Sequence, residues 1–99
     1  MKVSNQDGQI TIHLENDFIT ELVNEFRTAV QNEINAGNTS FTVDFTNAKI
    51  IDSMGIGCLV ATYNTLKQKG GSLQLSNVPE NLKDVFQVMR LDRILPIVE

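Results

Sequence analysis

Apolar residues in this chain switch repeatedly between two spacings, and that switching leaves few folds open. Over residues 9–15 they alternate with polar ones, so that Ile10, Ile12 and Leu14 share one side. A period of two is the mark of a half-buried strand. From Phe18 to Ile34 the spacing changes: Ile19, Leu22, Val23, Phe26, Val30 and Ile34 recur at intervals of three and four. That is one face of an amphipathic helix. Asp17 is the expected N-cap, and Gly37 the expected stop.

The alternation continues to the end of the chain. Phe41 to Phe45 is short, β-branched and aromatic, as a buried strand is; Asn47-Ala48 breaks it, and Ile50-Ile51 are expected to return to the core. A second helix is predicted from Ser53 to Gln68, burying Ile56, Leu59, Val60, Tyr63 and Leu66 and ending at Gly70-Gly71. Residues 72–76 alternate again, with Leu73 and Leu75 inward. Asn77-Val78-Pro79-Glu80 reads as a helix start, since proline suits the first turn and an acidic residue the positive end of the helix. Leu82, Val85, Phe86 and Met89 are the stripe this third helix is expected to bury. The tail, 91–99, is expected to dock through Ile94, Leu95, Ile97 and Val98. At the other end, Lys2 to Asn5 can pair with the 9–15 strand across Asp7-Gly8, a hairpin turn signal. Strand–helix–strand over 41–76 is long enough for a parallel crossover, which should be right-handed. The expectation is one α/β domain over residues 1–99, a small mixed sheet of about four strands packed with about three helices.

Composition narrows the function classes. With 41% hydrophobic and 20% charged residues, the 99-residue chain has the material for a core and not for disorder. The net charge of −4 comes without a basic stripe, which argues against nucleic acid and anionic membrane surfaces as partners. No apolar run approaches the roughly 18 residues of a membrane span, so no membrane insertion is expected. A single cysteine, Cys58, forms no internal bridge, and the cytoplasm is the expected location. Cys58 itself is expected to be a small core residue.

The segment richest in information is Ile50-Ile51-Asp52-Ser53-Met54-Gly55-Ile56-Gly57, between a buried strand and a helix start. Ligands and modifications gather at such places in α/β sheets. Ser53 falls at the N-cap or first residue of the helix, where free amides and the helix dipole favour negative charge. A phosphate there would add roughly −1.5 to −2 charges, with Asp52 beside it as a repulsive neighbour. Two glycines in a first turn, each costing a helix about 1 kcal/mol against alanine, imply close approach, either of another backbone or of the sheet packing tightly below. Met54 is the apolar residue of this segment expected at the surface, where a flexible side chain suits an interface.

Other chemistry finds little footing. His13 points outward from its strand and is the only histidine, so a histidine-based metal cluster is not expected. Ser53 lacks the Gly-x-Ser-x-Gly elbow, and nothing places His13 beside it, which argues against a hydrolytic triad. Asp17, Asp44 and Asp52 have no spacing that marks a magnesium site, and no phosphate-binding Walker loop is present. No catalytic residue, metal or cofactor is expected.

Val43-Asp44-Phe45 followed by Ile50 to Leu59 resembles the signature of the STAS family: a hydrophobic strand, a short loop, Asp-Ser, any residue, Gly, a hydrophobic residue, Gly. The likeness continues through Gly70 to Leu75, Val78, Val85-Phe86 and Met89 to Leu95. Within that family the chain resembles the anti-sigma factor antagonists of bacteria. That resemblance implies a phosphorylation site at Ser53 and a partner surface formed by Asp52, Ser53, Met54, Gly55, Ile56 and Gly57. It implies two partners, an anti-sigma factor that is also a serine kinase and binds the unphosphorylated form, and a serine phosphatase that restores it. On this reading Ser53 is a substrate, the chain is not the catalyst, and a monomer is the simpler state. Asn16-Asp17-Phe18-Ile19 stands where the family often has Gly-Glu-Leu-Asp. That departure keeps open a STAS subunit with a non-sigma partner, in a transporter or stressosome-type assembly; the family fold separately leaves open a nucleotide-binding STAS module using the same helix N-terminus.

Overall fold

A computed structural model describes residues 1–98. Five strands form one sheet in the order β1 (Lys2–Gln6), β2 (Gln9–His13), β3 (Ser40–Asp44), β4 (Ser72–Ser76) and β5 (Ile97–Val98). β1 and β2 are antiparallel; the remaining pairs are parallel. Asp7 and Gly8 both take positive φ, 55° and 88°, the two-residue turn whose twist matches the strands it joins. Three helices, α1 (Thr20–Asn35), α2 (Ser53–Gln68) and α3 (Glu80–Val88), make the crossovers. Because the parallel strands follow one another in chain order, right-handed crossovers put all three helices on the same face. The other face of the sheet is left open.

The core lies between these layers. Ile10, Ile12, Phe41, Val43, Leu73 and Leu75 point to the helices and are buried. The alternate positions, among them Thr11, His13, Thr42 and Gln74, form the polar open face, where Thr42 Oγ1 accepts hydrogen bonds from both Gln9 and Gln74. Phe26, Phe18, Phe45 and Phe86 form a run of neighbouring rings, with centroids 4.9, 6.5 and 6.3 Å apart in turn. They tie α1, the β2–α1 connection, the end of β3 and α3 into one cluster.

Several apolar residues sit differently from what their spacing predicts. α2 turns inward a face of small residues: Gly55, Cys58 and Thr62 are buried with Leu59 and Leu66, while Ile56, Val60 and Tyr63 are half-buried. This lets α2 lie close to α1. α3 is short, nine residues, and buries a narrow stripe, Leu82 and Phe86, leaving Val85 and Met89 exposed. Ile50 is exposed rather than returned to the core, as is Ile94. The tail docks through buried Leu95 and then adds β5, a fifth strand two residues long; Glu99 lies outside the described residues. α1 begins at Thr20, and Asp17 does not cap it. Gly37, with φ 95°, does end it. Gly71 is needed for closeness and not for its φ, because a Cβ there would collide with the Thr39 carbonyl.

Asp44, the last residue of β3, is a knot in this frame. Its Oδ1 accepts from the Thr46 amide (3.0 Å), the Thr46 hydroxyl (2.6 Å) and Asn77 Nδ2 (2.9 Å), and its Oδ2 bonds His13 Nδ1 at 2.8 Å. Burial raises the carboxyl's pKa, but these donors outweigh it and hold the group at about 2. A depressed carboxyl stabilises the fold above the unfolded-state value of about 4, and that stability is lost as pH falls through the folded value. We expect Asp44→Ala to cost about 1–3 kcal/mol at neutral pH. Urea unfolding from pH 6 down to pH 2 should show the gap between wild type and variant narrowing as the acid limb is descended.

Candidate functional site

The site predicted from sequence forms where the 45–52 connection meets α2. Asp52 is the N-cap of that helix, with extended backbone, and its Oδ1 accepts from the Gly55 amide at 2.8 Å. Ser53 is therefore the first residue of α2 and not its cap, and its side chain is exposed. Asp52 also does more than crowd Ser53. Its Oδ2 accepts from the Thr20 amide (2.9 Å) and the Thr20 hydroxyl (2.8 Å), so one carboxylate joins the starts of α1 and α2. The bond from the Gly55 amide is the main reason its pKa lies below the usual carboxylate range; partial desolvation opposes this, and Thr20 and the Met54 amide add to it.

The segment before α1 is stitched to the segment before α2 along its whole length. Asp17 Oδ1 accepts from the Lys49 and Ile50 amides, at 2.9 and 3.1 Å. Phe18 and Ile51 form a parallel bridge, in which the Phe18 amide donates to the Ile50 carbonyl at 2.9 Å. Asn81, at the start of α3, donates to the Lys49 carbonyl at 2.8 Å. The connection is thus held from both sides, and only its outer surface is free.

The two glycines of the first turn divide their roles. Gly55 is buried, and a Cβ on it would collide with the Phe18 carbonyl oxygen and crowd Ile51. It is the close approach of sheet-side backbone that requires this glycine. Gly57 is exposed, with nothing within 4 Å of where its Cβ would stand. Of the residues expected to meet a partner, Ser53, Met54 and Gly57 are exposed, Asp52 and Ile56 are half-buried, and Gly55 lies beneath. Met54 is 49% and Ile50 57% exposed, so two apolar side chains stand on the surface close to the Ser53 hydroxyl in the chain. Ile50 escapes prediction because an apolar residue next to a helix start looks like core. Thr20 escapes it too, since nothing in its neighbourhood announces a partner 32 positions away.

Cys58 is buried within α2, and His13 lies apart from this site, on the open sheet face against Asp44. Among the described residues no group of three or more His, Cys, Asp or Glu side chains gathers to hold a metal ion. No helix among them is long and apolar enough to cross a membrane.

Gly55→Ala should destabilise the fold by about 1–3 kcal/mol, through overpacking against the Phe18 backbone. Gly57→Ala should be neutral or stabilising by up to about 1 kcal/mol, through helix propensity alone. Thermal and urea denaturation of the two variants side by side measures the contrast.

Comparison with known proteins finds a matching family and a shared fold. The family model described as "Mlab, STAS domain" matches residues 1–99. The anti-sigma-B factor antagonist of Bacillus subtilis (strain 168) is 40% identical over 47 residues, which are 48% of this chain and 43% of that protein; the match thus spans less than half the length of the curated relative. Among solved structures, a proposed anti-sigma factor antagonist from Thermotoga maritima superimposes with a TM-score of 0.92 at 22% identity, over 99% of this chain and 85% of that one. The phosphorylated form of the Bacillus cell fate determinant SpoIIAA does so with a TM-score of 0.77 at 20% identity, over 99% and 90%. A sulfate transporter family protein from Wolinella succinogenes does so with 0.80 at 17% identity, over 91% and 73%. At these identities the structural likenesses establish the fold. With a family model matched from first residue to last, the Asp-Ser-x-Gly turn at the start of α2 and a shared architecture, this chain belongs to the STAS domain family.

Proposed function

We propose that this chain is a phosphorylatable protein-interaction switch of the anti-sigma factor antagonist type, with Ser53 as the acceptor. The observation that carries the reading is the contrast at the start of α2: an exposed serine hydroxyl on a connection otherwise pinned by Asp17, Asp52 and Asn81. Such a residue is open to a kinase while its surroundings keep their shape. The anti-sigma-B factor antagonist and the phosphorylated SpoIIAA support the same choice of function.

The mechanism follows from charge at a surface. Unmodified, Ser53 is a small neutral group close in sequence to exposed Ile50 and Met54. A partner covers these apolar side chains and gains from their burial. The partner expected is an anti-sigma factor with serine kinase activity. Phosphorylation places roughly −1.5 to −2 charges in the same spot. The amides and dipole of α2 welcome that charge by roughly 0.3–1 kcal/mol, whereas Asp52, already ionised, repels it. The connection keeps its hydrogen bonds, but a partner must now desolvate a dianion to close on Ile50 and Met54. Release follows, and a serine phosphatase resets the surface. At Ser53 the chain is a substrate for these partners.

A second reading has support of its own. The matched family model is described as Mlab, and the sulfate transporter family protein shares the fold. In a transporter assembly the same surface would serve as a fixed docking face, with Ser53 unmodified.

Intact-protein and peptide mass spectrometry of the chain from its native cells, under growth and stress, decides between them. A phosphate on Ser53 supports the switch. Ser53→Ala should then bind the partner constitutively, and Ser53→Asp should bind about 10–100-fold more weakly, a loss of about 1.4–2.8 kcal/mol. Absence of phosphate in every condition, with both variants binding as wild type does, would discard the switch in favour of constitutive docking.

A further inference from the structure

On the open face of the sheet, away from the start of α2, three side chains from three strands stand in line. Ser4 Oγ of β1 lies 3.3 Å from His13 Nε2 of β2, and His13 Nδ1 lies 2.8 Å from Asp44 Oδ2 of β3. The register makes this a consequence of pairing. His13 is directly opposite Asp44 in the parallel ladder, and Ser4 is its diagonal neighbour on β1. From the geometry we propose that Ser4 is an activated nucleophile, with His13 as its general base and Asp44 as the residue that orients the base, able to take acyl groups from unhindered esters with good leaving groups.

The roles are forced by hydrogen-bond chemistry. Asp44 has its Oδ1 occupied by Thr46 and Asn77, which fix the carboxylate, and it stays ionised to about pH 2. A carboxylate only accepts, so the neutral imidazole must carry its proton on Nδ1. Nε2 is then the acceptor, and the hydroxyl that faces it is that of Ser4. This is the division of labour of a serine, histidine and aspartate triad, which is recognised by geometry and roles and not by chain order. Asp44 is 15% exposed and His13 36%, so the pair is partly shielded while Ser4 stands at the surface. β1 is the edge strand of the sheet, and an edge presents unpaired backbone N–H groups, the kind of donor that a developing oxyanion needs. Ser4 is exposed, which suits small, unhindered esters with good leaving groups.

In the reaction, Ser4 Oγ bonds to the ester carbonyl carbon as its proton passes to His13 Nε2. The bond from carbon to the leaving oxygen then breaks, and the leaving group departs with that proton or releases it to solvent. Water, deprotonated by the same Nε2, attacks the acyl-Ser4 ester; the acid is released and the proton returns to Ser4.

The test uses p-nitrophenyl acetate with the intact chain, following p-nitrophenolate release and mapping acetylated peptides by mass spectrometry. We expect acetyl on Ser4, with the rate reduced by at least about tenfold in Ser4→Ala and in His13→Gln. Asp44→Asn should lower the rate as well; should that variant unfold, Ser4→Ala decides, because an exposed strand residue has little to do with stability. No acetyl on Ser4, or wild-type hydrolysis by Ser4→Ala, would overturn the proposal and leave His13 as a simple surface imidazole.

Discussion

One carboxylate, that of Asp52, sets the arrangement on which the rest of the functional surface depends. It caps α2 through Gly55 and reaches across to the first residue of α1 through Thr20. Two helix starts carry two sets of unpaired amides, and each set favours a negative neighbour. A single aspartate between them accepts from one amide of each set and so links the two helix starts. Ser53 follows it in the chain, so its exposure and direction are inherited from a residue that has no freedom left. Thr20 contributes through both of its donors, which makes the start of α1 part of the site although it is distant in sequence.

The same economy recurs along the connection from β3 to α2. Asp44 holds Thr46 at its beginning, Asp17 holds Lys49 and Ile50 in its middle, and Asp52 closes it. Backbone amides that belong to no strand or helix need partners, since an unpaired buried donor costs about as much as a lost hydrogen bond. Carboxylates supply them here, and the bonds are strengthened by charge. The three aspartates, whose spacing in the sequence marks no cation site, all accept from main-chain N–H groups. Gly55 completes the arrangement from below: by having no side chain it lets the Phe18 backbone come close enough for the bridge to Ile51.

The legible part of this molecule is whatever rests on local periodicity and turn chemistry. β4 and α2 fall on the residues expected, Ser72–Ser76 and Ser53–Gln68, and the Asp7-Gly8 turn joins β1 to β2. What periodicity cannot give is which neighbour a face meets. Ile56, Val60 and Tyr63 have the spacing of a buried stripe, yet α2 turns Gly55, Cys58 and Thr62 inward because it must pack against α1 as well as the sheet. Val85 and Met89 also have the spacing of a buried stripe, yet α3 buries only Leu82 and Phe86 and leaves them exposed. Asp17 has the look of an N-cap, but the bridge to Ile51 keeps Phe18 extended and moves the helix start to Thr20. β5 is two residues long and leaves no period to read. At the site, Asp52 and Ser53 are legible by motif, while Thr20 and the cluster of Ser4, His13 and Asp44 require the tertiary pairing.

A one-sided sheet divides its labour between two surfaces. Helices on one face bury the apolar residues of β2, β3 and β4 and present α2 with its exposed first turn. The opposite face has no second layer, so its side chains must satisfy one another or water. Serine, threonine, glutamine, histidine and aspartate do so through short cross-strand bonds. β3 belongs to both: Phe41 and Val43 hold the core, and Thr42 and Asp44 order the open face. Asp44 then passes that order to Thr46 and so to the connection that ends at Ser53. A change on the open face at this residue therefore reaches the helix start through covalent chain and hydrogen bond, whereas Ser4 and His13, which bond only within the sheet face, do not extend that path. Asp44 thus joins the open face to the connection that leads to α2.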